Sequence, residues 1–222
     1  MENMRKEIIQ AVEREKVIAI IRDLPLEQCI PVAWALWRGG IRLMEITFDQ
    51  AHPEHHAVTA AAIDAIRANF ADKILVGAGT VTSPELVDLA ADAGADYIIA
   101  PDSNERVIAR TRERGLVSIP GALTPDEIMR AHAAGADFVK LFPASSLGSS
   151  YLKAVRAPLS HIKLLAVGGI HAGNAREFLD AGACGLGIGG NLARKDWIAA
   201  GAYDNIAATA KNITDAVKEV GK

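Results

Sequence analysis

The chain has 222 residues, of which 50% are hydrophobic and 23% are charged, and its formal charge at pH 7 is −3. Lysine and arginine are spread along the chain rather than clustered, so neither a nucleic-acid partner nor a membrane partner is expected. The two cysteines, Cys29 and Cys184, are far apart and lack CxxC spacing, which argues against a disulfide framework and against a zinc knuckle.

The segment 1–16 is rich in charged residues and predicts a helix ahead of the first strand. It lacks the apolar core of a signal peptide, and the chain contains no run of about 18 apolar residues that would predict a transmembrane helix. We therefore expect a soluble, cytoplasmic protein. No break in composition divides residues 1–222, so we expect a single domain.

Eight short apolar runs then alternate with longer helical stretches. Alanine, isoleucine, leucine and valine supply most of the apolar content, as in parallel sheets that are packed between helices. The predicted strands cover residues 17–22, 43–48, 74–80, 97–101, 116–120, 138–143, 163–169 and 185–190.

Start and stop signals mark several of the intervening helices. At Ser83-Pro84 and at Thr124-Pro125, a hydroxyl residue precedes a proline at the first helical position, and acidic residues follow. A weak internal repeat marks the helix ends, where a glycine comes shortly before the next strand; its copies lie at Gly94, Gly135 and Gly182, with a looser copy at Gly40. Glycine permits the left-handed conformation that stops a helix.

Eight βα units in this order predict an α/β fold, a (β/α)8 TIM barrel with an extra N-terminal helix. An open, doubly wound sheet is the structural alternative, but no GxGxxG motif opens a helix after the first strand. In a barrel, the chemistry belongs at the carboxyl ends of the strands, where the βα loops lie. These ends carry Arg22, Glu45, Thr47, Thr80 and Lys140.

Lys140 stands alone in the otherwise apolar run 138–143. Because side chains alternate along a strand, an inward Lys140 would share the barrel interior with Phe138 and Phe142. Three interpretations remain: a buried ion pair with Glu45, a lysine that passes outward through the helix layer, and a nucleophile. Burial lowers the pKa of a lysine, and a neutral amine attacks ketones to form Schiff bases, which favours the third interpretation.

Five motifs occur in an order and spacing that resemble one enzyme family. They are Met44-Glu45-Ile46-Thr47, Val76-Gly77-Ala78-Gly79-Thr80-Val81, Ile119-Pro120-Gly121, Val139-Lys140-Leu141-Phe142-Pro143-Ala144 and Ala166-Val167-Gly168-Gly169-Ile170. Over residues 17–191 the chain resembles the class I aldolases that cleave 2-keto-3-deoxy-6-phosphogluconate and 4-hydroxy-2-oxoglutarate, including the 6-phosphogalactonate branch. The resemblance implies a (β/α)8 barrel, a homotrimer and a small-molecule 2-keto acid substrate.

The resemblance also implies roles for individual residues. Lys140 matches the Schiff-base lysine and Glu45 the general acid/base. Thr80, Pro101 and Arg22 match positions that surround the pyruvyl part of the substrate, and Thr47, from the motif that contains Glu45, is grouped with them. A protonated imine takes up the electron pair released when the C3–C4 bond breaks, so we expect neither a metal nor another cofactor.

Two of these assignments have structural alternatives. Arg22 at the end of the first strand would also suit a salt bridge to a nearby acid. Thr80 would also suit the N-cap of the helix that begins near Ser83-Pro84.

The loops after the last two predicted strands suit a phosphate group. Barrels often bind phosphate there through backbone N–H groups and a short helix N-terminus. The candidate residues are Gly168, Gly169, Gly189, Gly190 and Asn191, although glycine also serves tight turns. The serine-rich segment 145–150 either adds hydroxyl donors to this site or only caps a helix.

Two departures from the best-known members of this family bear on the substrate. Asp49 stands where those proteins carry arginine, and Asn191 stands where they carry serine. The branch that acts on the galactonate epimer also lacks that arginine, so Arg22 is expected to take over the substrate carboxylate. Asn191 can donate a hydrogen bond to a phosphate oxygen, and a non-phosphorylated substrate stays open.

His52, His55 and His56 form an HxxHH sequence in the loop that follows Asp49. Imidazoles bind many transition metals, so a metal site is one interpretation. The spacing lacks a strong zinc signature, which favours a solvated loop and a first helical turn.

We therefore predict a class I aldolase that cleaves a 2-keto-3-deoxy-6-phosphosugar acid of gluconate or galactonate type, 4-hydroxy-2-oxoglutarate, or both. The products would be pyruvate and an aldehyde, either glyceraldehyde 3-phosphate or glyoxylate. The alternatives are another phosphate-binding barrel enzyme, such as an isomerase or a phosphate synthase, and a non-catalytic phosphosugar-binding barrel. The sequence leaves open the C4 stereochemistry and the chain length of the substrate.

Overall fold

The computed structural model describes residues 2–71 and 73–218. Within these residues, nine parallel strands form one sheet in the order β5-β4-β3-β2-β1-β9-β8-β7-β6. The strands are β1 (Val17–Ile21), β2 (Leu43–Thr47), β3 (Leu75–Gly79), β4 (Tyr97–Ile99), β5 (Val117–Ile119), β6 (Gly121–Ala122), β7 (Val139–Leu141), β8 (Leu164–Val167) and β9 (Gly185–Ile188).

The short consecutive strands β5 and β6 are separated only by Pro120. β5 pairs with β4 and β6 pairs with β7, so this single segment joins the two ends of the sheet. Pro120 interrupts the ladder because proline has no N–H to donate, while its carbonyl still accepts from the amide of Lys140 at 2.8 Å. The result is the predicted α/β barrel of eight βα units.

Helices alternate with the strands and cover the outside of the barrel. They are α1 (Glu2–Glu15), α2 (Cys29–Arg38), α3 (His56–Phe70), α4 (Pro84–Asp92), α5 (Glu105–Glu113), α6 (Pro125–Ala133), α7 (Ala144–Arg156), α8 (Ala172–Asp180), α9 (Lys195–Ala199) and α10 (Tyr203–Lys218). The last helix, α10, packs against α2 and α8 and so completes the outer ring. Within residues 2–71 and 73–218, no helix combines the length and the apolar character needed to cross a bilayer.

The predicted start and stop signals are confirmed. Ser83 accepts a hydrogen bond from the amide of Leu86 and caps α4, and Thr124 and Glu127 form a reciprocal capping box at the start of α6. The repeated glycines at 94, 135 and 182 have φ angles of 83°, 99° and 105°, a left-handed conformation that stops each helix before its strand. The observed strands are shorter than the predicted runs because the terminal residues of those runs belong to the loops before and after the strands.

The barrel lumen is filled with apolar side chains up to the carboxyl ends of the strands. These residues are Ile18, Ile20, Leu43, Tyr97, Ile99, Val117, Ile119, Phe138, Leu165 and Val167. The predicted N-terminal helix, α1, inserts Ile8 and Val12 into the same cluster and closes the end of the barrel where the strands begin. Glu13 on this helix pairs with Lys163, just ahead of β8, at 2.9 Å.

Candidate active site

Lys140 lies in the middle of β7 and is only 4% exposed. Its neighbours Val139 and Leu141 pack in the outer core, whereas Phe138 packs in the lumen, so the lysine faces the lumen as predicted. Its Nζ lies 4.9 Å from the centre of the Phe142 ring. Burial lowers the pKa of Lys140, the charge of Glu45 raises it, and the charge of Arg22 lowers it. The net effect is a pKa of Lys140 below that of a free lysine.

Glu45 on β2 is 1% exposed and contributes the second ionisable group of the lumen. Its Oε2 atom has no hydrogen-bond partner among the residues of the structure. Burial raises the pKa of Glu45, while the charges of Lys140 and Arg22 lower it. Between these two described side chains no nitrogen–oxygen distance falls within 4.0 Å. Glu45 and Lys140 thus act on each other through space without forming a contact ion pair.

Two glycines on β3 make room in the lumen, Gly79 for this carboxyl group and Gly77 for the ring of Tyr97. A β-carbon at Gly79 would stand 1.7 Å from Glu45 Oε1, and one at Gly77 would stand 2.2 Å from the ring of Tyr97. Tyr97 fills the layer below Glu45, and its hydroxyl donates to the carbonyl of Met44 at 2.7 Å. The lumen is therefore packed beneath the two ionisable groups and leaves them at its upper surface.

Arg22 follows directly after β1 and is exposed at the mouth of the barrel. Within the described chain it forms no salt bridge, and the neighbouring Asp23 pairs with Lys195 instead. The alternative interpretation of Arg22 as a strand-end salt bridge is therefore not supported. Its positive charge acts on Glu45 and Lys140. Because no carboxylate of the described chain pairs with it, its guanidinium is available to bind an anion.

Thr47 ends β2, and Thr80 follows directly after the neighbouring strand β3. Thr47 is buried, and its hydroxyl donates to the carbonyl of Ile21 at 3.4 Å. Thr80 adopts a left-handed backbone conformation with φ of 56°, which is rare for a β-branched residue and tends to occur at functional sites. Because Ser83 caps α4, the interpretation of Thr80 as that helix's N-cap is wrong.

Pro101 follows β4 and lies against β6, where its carbonyl oxygen would be 2.3 Å from a β-carbon at Gly121. A cavity of about 440 Å³ opens beside it and is walled on one side by the Phe142 ring. A larger cavity of about 590 Å³ lies at the opposite end of the barrel, beneath α1. Neither cavity is lined by Lys140 or Glu45, so the two ionisable groups, and not cavity size, indicate the site.

The two glycine-rich loops predicted to bind phosphate lie side by side. Gly168 and Gly169, after β8, have φ angles of 96° and 71°. Asn191, after β9, donates from its amide to the carbonyl of Ile170 at 3.2 Å and so joins the two loops. A β-carbon at Gly190 would meet no atom within 4 Å, so this position borders open space.

The structure adds Ser145, which the sequence did not single out within the segment 145–150. A β-carbon at Gly169 would stand 1.9 Å from Ser145 Oγ, and the amide of Ser145 donates to the carbonyl of Gly168 at 3.1 Å. Ser149 instead pairs with Glu177 on α8. Position along the chain distinguishes the two serines. Ser145 is the second residue of α7 and lies near the end of β7, whereas Ser149 lies further along the helix.

The histidine-rich loop supports its own backbone. His56 Nε2 lies 2.9 Å from the carbonyl oxygen of Asp49, and His52 lies beside Glu54. The Asp49 carboxylate accepts from the amide of Ala51 at 2.9 Å. Across residues 2–71 and 73–218, no group of three or more histidine, cysteine, aspartate or glutamate side chains is arranged to hold a metal ion.

The chain matches known aldolases over most of its length. A family model described as KDPG and KHG aldolase matches residues 8–209. A 2-dehydro-3-deoxy-phosphogluconate aldolase of Treponema pallidum is 39% identical over 173 residues, which are 78% of this chain and 79% of that protein. A 2-dehydro-3-deoxy-6-phosphogalactonate aldolase of Escherichia coli is 36% identical over 179 residues, covering 80% of this chain and 84% of the relative.

Solved structures agree with this relationship. A structure described as native KDPGal has 34% identity and a TM-score of 0.83, and the match covers 91% of this chain and 94% of the other. A KDPG aldolase of Legionella pneumophila, solved with pyruvate captured as a covalent carbinolamine intermediate, has 27% identity and a TM-score of 0.83 over 92% of this chain and 97% of the other. The chain belongs to the KDPG and KHG aldolase family and is therefore a lyase.

Proposed function

We propose that this protein cleaves a 2-keto-3-deoxy-6-phosphosugar acid, 4-hydroxy-2-oxoglutarate, or both, through a Schiff base on Lys140. One observation carries the proposal: Lys140 Nζ faces the upper lumen, is largely buried, and has neither a hydrogen-bond partner nor a contact ion pair among the described residues. An amine kept in this environment loses its proton more readily than one in water. A structural lysine would instead be expected to have a partner.

The first step is imine formation. The neutral Nζ of Lys140 attacks the C2 carbonyl carbon of the substrate and forms a carbinolamine. Glu45 in its acid form gives a proton to the carbinolamine hydroxyl, which leaves as water, and a protonated imine remains. The relative that holds pyruvate as a carbinolamine shows the same kind of adduct in a protein of this fold. The Phe142 ring near Nζ suits this step, because an aromatic face stabilises a cation.

The second step is carbon–carbon bond cleavage, for which Glu45 is the proposed base. Glu45 takes the proton of the C4 hydroxyl, the C3–C4 bond breaks, and its electron pair moves into the imine to form an enamine and a free aldehyde. Glu45 then returns the proton to C3, which gives the imine of pyruvate, and water releases pyruvate from Lys140. The unpaired Oε2 and the raised pKa of Glu45 suit a group that alternates between acid and base.

The remaining site residues would bind the two ends of the substrate. Arg22 and Thr80 would hold the carboxylate next to C2, and Thr47 and Pro101 would border the pyruvyl group. The distal phosphate would lie against the paired glycine loops, whose members are Gly168, Gly169, Gly189, Gly190 and Asn191. Their backbone N–H groups suit an anion, and the Ser145 hydroxyl adds a donor beside them.

The substrate class follows from these two ends. Curated relatives are named for the phosphogluconate and the phosphogalactonate substrates, and both substrates carry a carboxylate and a phosphate. Asp49 brings no positive charge to the mouth of the barrel, and its side chain accepts from the backbone amide of Ala51. We therefore assign binding of the substrate carboxylate to Arg22. A homotrimer, a cytoplasmic location and a single domain over residues 1–222 are part of the same proposal.

Reductive trapping tests the proposal. The protein is incubated with pyruvate and sodium borohydride, its intact mass is measured, and the modified peptide is located by digestion. We expect one 1-carboxyethyl group on Lys140, and no adduct in Lys140→Met. Lys163→Met is a matched control, because Lys163 also lies near an aromatic ring, that of Phe138, but at the opposite end of the barrel. An isomerase, a phosphate synthase or a non-catalytic binding barrel would gain no adduct.

A further inference from the structure

One side chain ties the loop after β2 to the loop after β3. The Gln50 Nε2 atom donates to the carbonyl of Thr80 at 2.8 Å, and its Oε1 atom accepts from the Thr82 hydroxyl at 2.9 Å. A carbonyl can only accept, so the first bond fixes the orientation of the amide, and the hydroxyl is free to satisfy the second. Both ends of the Gln50 amide are thus occupied by the same neighbouring loop.

The segment that carries Gln50 is itself anchored. The amide of Phe48 donates to the carbonyl of Gly79 at 2.9 Å, and the Asp49 carboxylate accepts from the amide of Ala51. His56 contacts the carbonyl of Asp49 through Nε2, and its imidazole ring packs edge-on against Phe48 with ring centres 5.3 Å apart. The backbone that carries Gln50 is therefore held by other contacts. Removing the Gln50 side chain would leave these backbone contacts in place.

The bond from Gln50 acts on the residue with the least favourable backbone in this part of the site. Thr80 has a φ of 56°, a conformation that a β-branched residue keeps only when its surroundings impose it. On the far side of the same peptide unit, the amide of Val81 donates to the carbonyl of Ile99 at 3.2 Å. The Thr80–Val81 peptide is thus fixed from both sides, by β4 and by Gln50.

We propose that Gln50 is a positioning residue that holds Thr80 in place for the substrate carboxylate. The assignment rests on the proposed function, in which Thr80 and Arg22 bind that carboxylate. Gln50 does not touch the reacting atoms. Its effect is specific to ligands that carry a carboxylate next to the carbonyl group, because only these ligands use Thr80.

The test compares two ketones in borohydride trapping, pyruvate with a carboxylate and acetone without one. For Gln50→Ala we expect the pyruvate concentration that gives half-maximal trapping to rise about 3- to 10-fold, the loss typical of one hydrogen bond. The limiting trapping rate and the rate with acetone should stay within about twofold of wild type, since one solvent-exposed hydrogen bond is removed and Lys140 is untouched. A general loosening of the loop would lower both rates together.

Two further variants complete the design. Thr82→Val removes only the bond to Gln50 Oε1 and should give a smaller change of the same kind, which keeps the assignment testable if Gln50→Ala folds poorly. Asn69→Ala is the matched control, because Asn69 is an exposed amide that donates to a backbone carbonyl, that of Ala65 at 2.8 Å, at the far end of α3. It should behave as wild type with both ketones.

The outcomes separate this inference from the function on which it rests. Normal trapping in wild type with an unchanged half-saturating pyruvate concentration in Gln50→Ala would overturn the role of Gln50 alone. Equal losses with pyruvate and with acetone would also overturn it. Wild-type protein that traps no pyruvate would overturn the proposed function, and with it the role assigned to Gln50.

Discussion

The carboxyl group of Glu45 lies directly over the α-carbon of Gly79, at a place where any side chain on residue 79 would collide with it. These residues lie on neighbouring parallel strands, with Glu45 beside Gly77 and Thr47 beside Gly79 in the register of β2 and β3. Gly79 thus determines where the proposed acid/base group can be, although it takes no part in the chemistry.

Gly79→Ala should therefore displace Glu45 and spare Lys140. We expect kcat for aldol cleavage to fall by about 10²- to 10⁴-fold, the usual contribution of a positioned general acid/base. Borohydride trapping of pyruvate on Lys140 should persist. Gly77→Ala is the control for strain, because its new β-carbon would collide with Tyr97 and not with Glu45. Equal losses of kcat per folded molecule in both variants would contradict this view of Gly79.

Replacing both buried ionisable groups should stabilise the protein. Lys140→Met combined with Glu45→Gln should raise the free energy of unfolding in urea by about 1–4 kcal/mol, because two poorly solvated groups are replaced by neutral ones of similar volume. Lys140→Met alone serves as the discriminating variant. Breaking a buried ion pair by removing one partner costs about 3–5 kcal/mol. A fall of that size in the free energy of unfolding of Lys140→Met would show that the two residues form a structural ion pair.

The pH dependence of trapping should report the charges around Lys140. Because burial lowers the pKa of Lys140, the trapping rate should rise with pH and level off below the pKa of about 10.4 of a free lysine. Glu45→Gln removes a charge that raises this pKa, so the midpoint should move to lower pH. Arg22→Gln removes a charge that lowers the pKa, so the midpoint should move to higher pH. Shifts in the same direction for both variants would contradict the assigned electrostatics.

Asn191 should distinguish phosphorylated from non-phosphorylated substrates. For Asn191→Ala we expect KM for the phosphosugar acids to rise about 3- to 10-fold, the effect of losing one hydrogen bond to the anion. KM for 4-hydroxy-2-oxoglutarate should not change, because that substrate has no phosphate. Steady-state assays with the gluconate epimer, the galactonate epimer and hydroxyoxoglutarate provide the measurement. A parallel rise for all three would place Asn191 outside a phosphate site.

The sequence was sufficient to predict the barrel because its local signals agree with one another. Apolar runs gave the strands, hydroxyl-proline pairs gave helix starts at Ser83 and Thr124, and glycines at 94, 135 and 182 gave helix ends. The break at Pro120 was not predicted, because the apolar run 116–120 indicates one strand. Only the hydrogen bonds of the sheet show that β5 pairs with β4 and β6 with β7.

The site could be predicted where strand alternation determines the direction of a side chain. Contacts between loops could not be predicted. Alternation predicted that an inward Lys140 would share the lumen with Phe138, and both side chains are buried there. The bonds of Gln50 to Thr80 and Thr82 join residues that are 30 and 32 positions apart, and neither loop shows a sequence pattern that specifies the contact. The same is true of Ser145 and Gly169, whose close approach depends on how β7 and β8 end.

Helix α1 closes the lumen at the amino ends of the strands, so among the described residues the proposed active site opens at the carboxyl ends. On the proposed chemistry, the half of the substrate that is bound to Lys140 lies deepest, and the aldehyde is formed between it and the solvent. The aldehyde must then depart first and pyruvate second, and pyruvate left in solution would compete with incoming substrate for the free enzyme. The covalent bond to Lys140 thus sets the order in which the products leave, and the closed end of the barrel sets the side on which they leave.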